Sequence, residues 1–176
     1  MSSTKSINNL VALVRGPVVC SNTSLNNEAV PALGLAYIAG YLRKKGYQVV
    51  LIDSTVEGLN NLFEFKEYPG FSGQGLRHEK TISMIPKHAK VIAFSGMFSG
   101  EWPVLRDLIT QTRQTFPEAL LVAGGEHITA LTEYSLRDCP ALDVCVRGEG
   151  EHTFYELVKA YLETGIFSSV PAVAYL

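Results

Sequence analysis

Four short segments carry most of the residues with which this chain could hold a ligand. They are Asp53–Gly58, Ser95–Gly100, Gly124–Thr129 and Arg147–Glu151. Glycine adopts positive φ and allows a ligand to approach the backbone, while serine, histidine and carboxylates supply hydrogen-bonding groups. The Gly124-Gly125 pair predicts such a close approach, although a tight turn needed only for chain reversal would use the same pair.

The cysteines and histidines form no recognisable metal-binding pattern. Cys20, Cys139 and Cys145 include no C-x-x-C pair, and three thiols cannot all pair with one another. The four histidines, at positions 78, 88, 127 and 152, lack the i, i+4 company of a metal site. We therefore predict no metal ligand in this chain and a reducing, cytoplasmic location.

Composition excludes several kinds of partner. The 176 residues are enough for one domain with a hydrophobic core, and the 47% hydrophobic and 18% charged fractions are ordinary for a globular protein. The net charge of -2 gives no electrostatic footprint for nucleic acid or an anionic membrane. No apolar run approaches the roughly 18 residues that span a bilayer, and the polar N-terminus has no signal-peptide core. We expect no nucleic-acid partner and no membrane.

The segments named above follow apolar runs that read as buried strands. The predicted strands are Leu10–Val14, Val49–Asp53, Val91–Ser95, Leu120–Ala123 and Val144–Arg147. Nearly continuous apolar runs are typical of parallel strands that are covered by helices on both faces. Amphipathic spacing predicts helices over Leu33–Lys45, from Pro103 to Pro117, over Ile128–Arg137 and over Glu151–Glu163.

Alternating strands and helices with right-handed crossovers predict an α/β fold with an open, doubly wound sheet. We expect a flavodoxin-like (Rossmann-like) parallel sheet of five strands in the order 2-1-3-4-5. Ligands of such sheets bind beyond the carboxyl ends of the strands, near the point where the strand order reverses. Two stretches, Gly16–Val30 and Glu67–Gly75, are predicted to be long loops that are either functional or mobile.

The residues after the strands resemble the spaced pattern D-x-H-x-x-G, S-x-L and G-G of cobalamin-dependent methionine synthase and the mutases. Asp53 and Gly58 match the first part, Ser95-Gly96-Met97 stands for S-x-L, and Gly124-Gly125 for G-G. The position of the cobalt-ligating histidine is Thr55 in this alignment.

A closer resemblance is to the N-terminal cobalamin-binding domain of cobalamin-dependent radical SAM enzymes. The similar segments are Pro31–Leu35, Gly46 to Asp53, the G-G-x-H-x-T run Gly124–Thr129, the R-G-E-G-E run Arg147–Glu151, and Val170–Tyr175. The resemblance covers almost the whole chain, and the order and spacing of the segments are more specific than any one of them.

The resemblance implies that cobalamin binds with its dimethylbenzimidazole tail in a slot at the sheet edge, away from the cobalt. Gly124 and Gly125 would form the slot wall, and Ser95 would donate to the buried base unless it bonds only local backbone. His127 would lie near the nucleotide tail, and Thr55 implies that no histidine ligates the cobalt. The cofactor-binding residues implied are Asp53, Thr55, Gly58, Ser95, Gly96, Met97, Phe98, Gly124, Gly125, Glu126, His127, Gly148 and Glu149.

The same resemblance implies that residues 1–168 form a cobalamin-binding domain and that residues 169–176 begin a connection to a radical SAM domain. That partner domain, in cis or in trans, would hold the [4Fe-4S] cluster and S-adenosylmethionine, because this chain lacks the C-x-x-x-C-x-x-C motif. The chain alone is then not catalytic, and its parent is an enzyme of methyl transfer or a related reaction.

Two alternatives remain open. A flavodoxin- or receiver-like module would use the same sheet edge for a flavin or a phosphoryl group, but the sequence lacks the acidic pair and lysine of a receiver. Its run Cys20–Ser24 only faintly resembles a flavodoxin phosphate loop. A cobalamin-carrying corrinoid subunit is the second alternative, and it normally keeps the axial histidine where this chain has Thr55.

Overall fold

The computed structural model describes residues 9–23 and 30–176, and within them helices and strands alternate as the sequence predicts. The strands are β1 (Leu10–Arg15), β2 (Val18–Ser21), β3 (Gln48–Asp53), β4 (Leu62–Glu64), β5 (Phe71–Gln74), β6 (Val91–Ser95), β7 (Leu120–Gly124), β8 (Val144–Val146) and β9 (Val173–Ala174). The α-helices are α1 (Leu33–Lys44), α2 (Ser54–Glu57), α3 (His78–Ser83), α4 (Trp102–Thr115), α5 (Glu126–Ala130), α6 (Thr132–Asp138) and α7 (Gly150–Thr164), and a 3₁₀ turn spans Ser99–Glu101.

The central sheet has the order β3-β1-β6-β7-β8-β9. Its first five strands are parallel and reproduce the predicted order 2-1-3-4-5, with each predicted strand bound within one residue of the observed one. The predicted count of five strands is corrected to six, because β9 pairs antiparallel with β8. Two residues are too short for the alternation that marks a strand in the sequence.

Strand β9 lies within the segment 169–176 that the sequence assigns to a connection. Ala174 is the partner of Cys145, and Val173 is the partner of Val146. The domain boundary after residue 168 stays a prediction. Along residues 9–23 and 30–176, no helix combines the length and apolar character that a membrane crossing requires.

Side chains alternate across the parallel strands and pack into two cores, one on each face of the sheet. On one face, Val11, Leu13, Ala93 and Val122 belong to the core that contains the inner sides of α1 and α7. The opposite core contains Val14, Phe94 and Ala123 together with side chains of α3, α4 and α6. A doubly wound sheet results, and its carboxyl edge is the edge where a ligand is expected.

The two predicted long loops are wrong in part, because each contains a strand of a second sheet. This small antiparallel sheet has the order β2-β5-β4, and its strand β2 lies immediately after β1 in the chain. Pairing across it joins Val19 to Gly73 and Phe63 to Gly73. Strands of three or four residues give little periodic signal, and β5 also contains Gly73, which is why the sequence indicated loops.

The predicted helix Ile128–Arg137 is two helices, α5 and α6, separated at Leu131, whose φ of -125° and ψ of 40° are not helical. The hydroxyl of Thr132 donates to the Ile128 carbonyl at 2.7 Å. That carbonyl would otherwise accept the backbone N–H of Thr132, so the side chain competes with the helical bond at this point.

Arg113 at the end of α4 holds the amino ends of β7 and β8 together. Its guanidinium donates to the carbonyls of Ala119 and Ala141 at 2.8 and 3.1 Å and pairs with Asp143. The Asp143 carboxylate also accepts the backbone N–H of Leu121 at 2.7 Å. We call this group the Arg113 clamp, and it lies at the end of the strands opposite the carboxyl edge.

Candidate cofactor site

A cavity of about 240 Å³, which we call the slot, lies between the sheet and helices α1 and α7 at the carboxyl ends of β6, β7 and β8. Its apolar lining consists mainly of Leu13, Leu35, Ile38, Ala93, Val122, Val146 and Phe154. Its polar lining consists of Ser95, Glu126, Glu149 and Glu151. The volume is somewhat below that of drug-sized pockets, roughly 300–1,000 Å³, so the slot suits one ring system rather than a large macrocycle.

The first turns of α1 and α7 both border the slot. Gly34 and Leu35 of α1 and Gly150 and Glu151 of α7 contribute to its lining. The first N–H groups of a helix have no intrahelical partner and carry partial positive charge. An anionic part of a ligand at the slot mouth is therefore stabilised from two sides.

A second cavity of about 400 Å³, which we call the groove, adjoins the slot at the switch point between β1 and β6. The two cavities share Gly34, Leu35, Ser95 and Met97. The rest of the groove is formed mainly by Arg15–Val18, Val30–Leu33, Gly96, Phe98 and Glu101. A ligand with a flat body and a tail could occupy both cavities at once.

The segment after β6 forms the rim between slot and groove. Ser95 lines both cavities, and its hydroxyl has no hydrogen-bond partner among the described residues. Met97 and Phe98 are large apolar side chains left 44% and 64% exposed to solvent. Exposed apolar side chains beside a cavity are typical of a ligand or partner surface.

Gly125 is required where the segments after β6 and β7 meet. Its φ of 117° and ψ of -179° are open essentially only to glycine, and a Cβ there would lie 2.6 Å from the Gly96 carbonyl oxygen. Gly124 differs, because a Cβ at that position meets the Val146 carbonyl oxygen only at 3.6 Å, an ordinary contact. A larger side chain at Gly124 would therefore enter the slot rather than break the turn.

His127 is buried behind the slot and lines neither cavity. The residue is 3% exposed, its ring stacks on Trp102 at 4.9 Å between centroids, and its Nδ1 lies 2.9 Å from the Ser99 hydroxyl. Its Nε2 is 3.3 Å from the Ser135 hydroxyl. Burial lowers the pKa of His127, so the neutral ring is favoured. This histidine joins the segments after β6 and β7 instead of facing a ligand.

The stacked Trp102 extends this contact into a polar network. Its indole N–H donates to Asp138 at 2.9 Å, and Arg106 pairs with the same carboxylate at 3.1 Å. The hydrogen bond from Trp102 and the Arg106 charge lower the pKa of Asp138. The network fixes α4 against α6 directly below the rim.

The segment after β3 is closed by its own contacts. The Asp53 carboxylate caps α2 by accepting the backbone N–H groups of Thr55 and Val56 at 3.1 and 3.2 Å, and it lies 3.4 Å from Arg15. Thr55 is fully buried and donates to the Gly16 carbonyl at 3.3 Å. A Cβ at Gly58 would lie 2.5 Å from the backbone of Gly75.

The structure thus brings part of the predicted site together and leaves part outside it. The residues that line the slot or the groove are Ser95, Gly96, Met97, Phe98, Gly124, Gly125, Glu126, Gly148 and Glu149. The residues that line neither are Asp53, Thr55, Gly58 and His127. Their predicted contacts with a cofactor stay predictions.

Sequence reasoning missed the residues that reach the cavities from helices and from the interior of strands. Ile38 and Phe154 line the slot from α1 and α7, and Glu101 lines the groove. Glu101 accepts the Val19 N–H at 3.4 Å, and burial raises the pKa of its carboxyl. The helical spacing of Leu35 and Ile38 identified a buried face, and nothing in that pattern distinguishes a core contact from a ligand contact.

No histidine or cysteine lines either cavity in the described part of the chain. His78 borders a separate polar cavity beside α3 and α4, and His152 lies 3.8 Å from Glu156 on α7. Cys139 and Cys145 are fully buried, and desolvation raises the pKa of Cys145 to about 12. Over residues 9–23 and 30–176, no three His, Cys, Asp or Glu side chains are grouped as metal ligands.

Comparison with known proteins decides the ligand class. Residues 27–158 match the family described as the B12 binding domain. The chain belongs to this B12-binding family. The match confirms the predicted resemblance to a cobalamin-binding domain, and it agrees with the α/β fold and its mainly parallel sheet.

Three curated relatives place the B12-binding domain in larger proteins. The chain is 32% identical over 123 residues to cytidylyl-2-hydroxyethylphosphonate methyltransferase of Streptomyces wedmorensis, which covers 69% of this chain and 23% of that protein. It is 32% identical over 130 residues to an uncharacterized methyltransferase of Pyrococcus horikoshii, and this alignment covers 74% of this chain and 24% of that protein. It is 29% identical over 132 residues to the anaerobic magnesium-protoporphyrin IX monomethyl ester cyclase of Cereibacter sphaeroides, and this alignment covers 74% of this chain and 19% of that protein. The aligned part is about a quarter of each relative or less.

The cavities fit the two parts of cobalamin. The slot has apolar walls for an aromatic base, a free hydroxyl at Ser95 and an open position at Gly124. The groove beside it is larger and bordered by the exposed side chains of Met97 and Phe98.

Proposed function

We propose that this chain binds cobalamin base-off, with the nucleotide tail in the slot, the corrin over the groove and no histidine on the cobalt. The single observation that carries the proposal is the slot itself, an apolar cavity at the carboxyl ends of β6, β7 and β8 in a B12-binding domain. Bound cobalamin supplies a cobalt centre that carries a methyl group. The residues of the chain position that centre.

The positions of the histidines support the absence of a histidine ligand. His127 is buried behind the rim, and His78 borders the separate polar cavity. Thr55, which the sequence aligned with the ligating histidine, is fully buried in α2, directly after the edge strand β3. Because four-coordinate Co(I) binds no lower ligand, a site without a histidine ligand would favour reduction to the state that accepts a methyl group.

The polar groups around the slot suit the rest of the tail. The Ser95 hydroxyl can donate to the ring nitrogen that leaves the cobalt, which would otherwise be buried without a partner. The first turns of α1 and α7 favour the phosphodiester. Glu126 and Glu149 at the mouth can accept from amide groups on the corrin periphery.

The parent reaction is proposed to belong to a larger enzyme, with this chain as its cobalamin carrier. The relatives named above are methyltransferases and a cyclase of which the aligned part is a quarter or less. We infer that a radical SAM domain, in cis or in trans, supplies the [4Fe-4S] cluster and S-adenosylmethionine. The chain alone should form no 5′-deoxyadenosine after anaerobic reconstitution with iron, sulfide and S-adenosylmethionine, and its formation would contradict this division of roles.

Electron paramagnetic resonance of the complex with cob(II)alamin tests the proposed ligation. Because no histidine among the described residues lines the slot or the groove, we expect cobalt lines without nitrogen splitting. Free cob(II)alamin, in which the benzimidazole nitrogen binds cobalt, is the reference for the split spectrum. Nitrogen splitting in the complex would show that the base stays on the cobalt or that a histidine reaches it, and either finding refutes the proposal.

A further inference from the structure

We propose that the slot selects among cobamides by the chemistry of their lower base, accepting benzimidazole and phenol bases and rejecting purines. The inference rests on the proposed placement of the nucleotide tail in the slot. It goes further by naming the class of corrinoid that the domain binds. The selectivity depends on which side chains form the floor and the wall of the slot.

The floor of the slot offers no polar side chain. Leu13, Ala93 and Val122 come from three neighbouring parallel strands, and each is no more than 8% exposed. They belong to the continuous apolar core between the sheet and helices α1 and α7. The backbone groups of these strands are paired within the sheet, so the floor also lacks free amides and carbonyls.

The wall opposite the floor is equally apolar. Leu35 and Ile38 of α1 and Phe154 of α7 line the slot, and Phe154 is almost fully buried. A side chain that is packed in this way cannot rotate out to admit water, because the core around it is close-packed. A polar edge of a base that reaches this depth would be desolvated without compensation.

The polar groups of the slot lie at its entrance. Ser95 is the last residue of β6, and its hydroxyl has no partner among the described residues. Glu126 and Glu149 are exposed and border the mouth. The hydrogen-bonding groups of the slot therefore border its mouth, where Glu151 and the first turns of α1 and α7 also lie, and the described side chains of its floor offer none.

This distribution matches some bases and opposes others. A benzimidazole released from cobalt has one free ring nitrogen, and its remaining edge is hydrocarbon. A phenol base has no free ring nitrogen at all. Adenine adds two ring nitrogens and an amino group to the part that would meet the floor. Each buried group without a partner costs about a factor of ten in affinity.

Equilibrium titration of the protein with cobamides that differ only in the lower base tests the inference. The cobamides are used anaerobically as Co(I) forms, which are four-coordinate, so no base is bound to cobalt and the comparison reports the slot alone. We expect the benzimidazole and phenol forms to bind at least about tenfold more tightly than the adenine form. Cobinamide, which lacks the nucleotide, should bind more weakly than cobalamin.

Ala93→Ser places one hydroxyl on the floor with little added volume. It should narrow the preference between cobalamin and the adenine form by about threefold or more, because the hydroxyl can pair with a purine nitrogen. Ala36→Ser on the exposed side of α1 is the matched control and should leave the preference unchanged. Cooperative urea unfolding of both variants shows that the fold is kept.

The outcomes separate the inference from the proposed function. If the adenine form binds within about twofold of cobalamin while cobinamide binds weakly, the tail is in the slot and the selectivity is refuted. If cobinamide equals cobalamin, the tail does not occupy the slot, and both statements fall. If no cobamide binds, cobalamin binding by this chain is refuted.

Discussion

The segment after β3 and the segments after β6 and β7 end parallel strands at the same edge of one sheet, yet only the latter form a cavity. Asp53–Gly58 uses its carboxylate to cap α2 and its glycine to pass the backbone of Gly75. Ser95 and Gly124 instead leave a hydroxyl and an open Cα facing the slot. Similar residue types thus cap a helix and allow close backbone packing in one segment, and they line the slot in the other.

The position in the sheet explains this difference. Strand β3 is the edge strand, so its carboxyl end has the neighbour β1 on one side only. The strands β6, β7 and β8 lie between other strands and are covered by α1 and α7, which hold the slot open from above. Ligands of such sheets bind beyond the carboxyl ends of the strands around the switch point, here between β1 and β6, and the slot adjoins that point. A motif is therefore informative only together with its strand position.

The largest expected effect is on stability at the contact between the segments after β6 and β7. Gly125→Ala should lower the free energy of unfolding by about 3 kcal/mol, because the backbone conformation is nearly exclusive to glycine and the new Cβ meets the Gly96 carbonyl. Urea unfolding measures the loss. Gly148→Ala is the control, since its φ is 69° and a Cβ meets nothing within 4 Å. Equal losses in the two variants would show that the close approach contributes nothing.

The second largest effect is expected on cobalamin binding in the slot, with the turn at Gly125 left intact. Gly124→Val should weaken cobalamin binding at least about 30-fold, equivalent to roughly 2 kcal/mol of overpacking, because the side chain enters the slot. Stability should change far less than in Gly125→Ala. Gly100→Val is the matched control at a position with open space. Unchanged affinity in Gly124→Val would remove the slot from the proposed site.

A smaller effect is expected in the segment after β3, which forms no cavity. Asp53→Ala should cost about 1 kcal/mol of stability through loss of the α2 cap, while the dissociation constant for cobalamin stays within about twofold. Asp53→Asn keeps an oxygen that can accept the same N–H groups, and we expect a smaller loss of stability. A strong loss of cobalamin affinity in both variants would mean that the segment after β3 reaches the ligand after all.

The smallest effect is a pH dependence of the folding stability, and it comes from the buried His127. Burial lowers the pKa of His127 from its ordinary value of 6.5, so the unfolded chain binds the proton more tightly. Stability from this group is complete above pH 6.5 and falls as the pH drops towards the lowered pKa, by at most about 1.4 kcal/mol per pH unit.

Unfolding of wild type and His127→Gln between pH 7 and pH 5 isolates this contribution, because glutamine keeps hydrogen-bonding capacity without titrating in that range. The wild type should lose more stability than the variant as the pH falls. Parallel pH profiles would show that His127 is not the group responsible.

The sequence predicts the parallel sheet well because apolar runs such as Val91–Ser95 are buried on both faces and leave a clear pattern. It does not predict β2, β5 or β9, whose two to four residues are too short to leave a periodic pattern. Within the site, Ser95 and Gly124 were predicted from their place after a strand. Ile38 and Phe154 were not, because a residue that lines a cavity and a residue that fills a core have the same helical spacing.

Because the Arg113 clamp lies at one end of the sheet only, the residues at the two ends differ in how far they can be exchanged without loss of the fold. It fixes β7 against β8 at their amino ends through Ala119, Ala141 and Asp143, whereas the slot lies at the carboxyl ends. Strand register is then held by groups that never meet the cofactor. Exchange of the loops after β6, β7 and β8 can therefore alter the recognised corrinoid while the scaffold persists, so new specificity need not be preceded by a new fold.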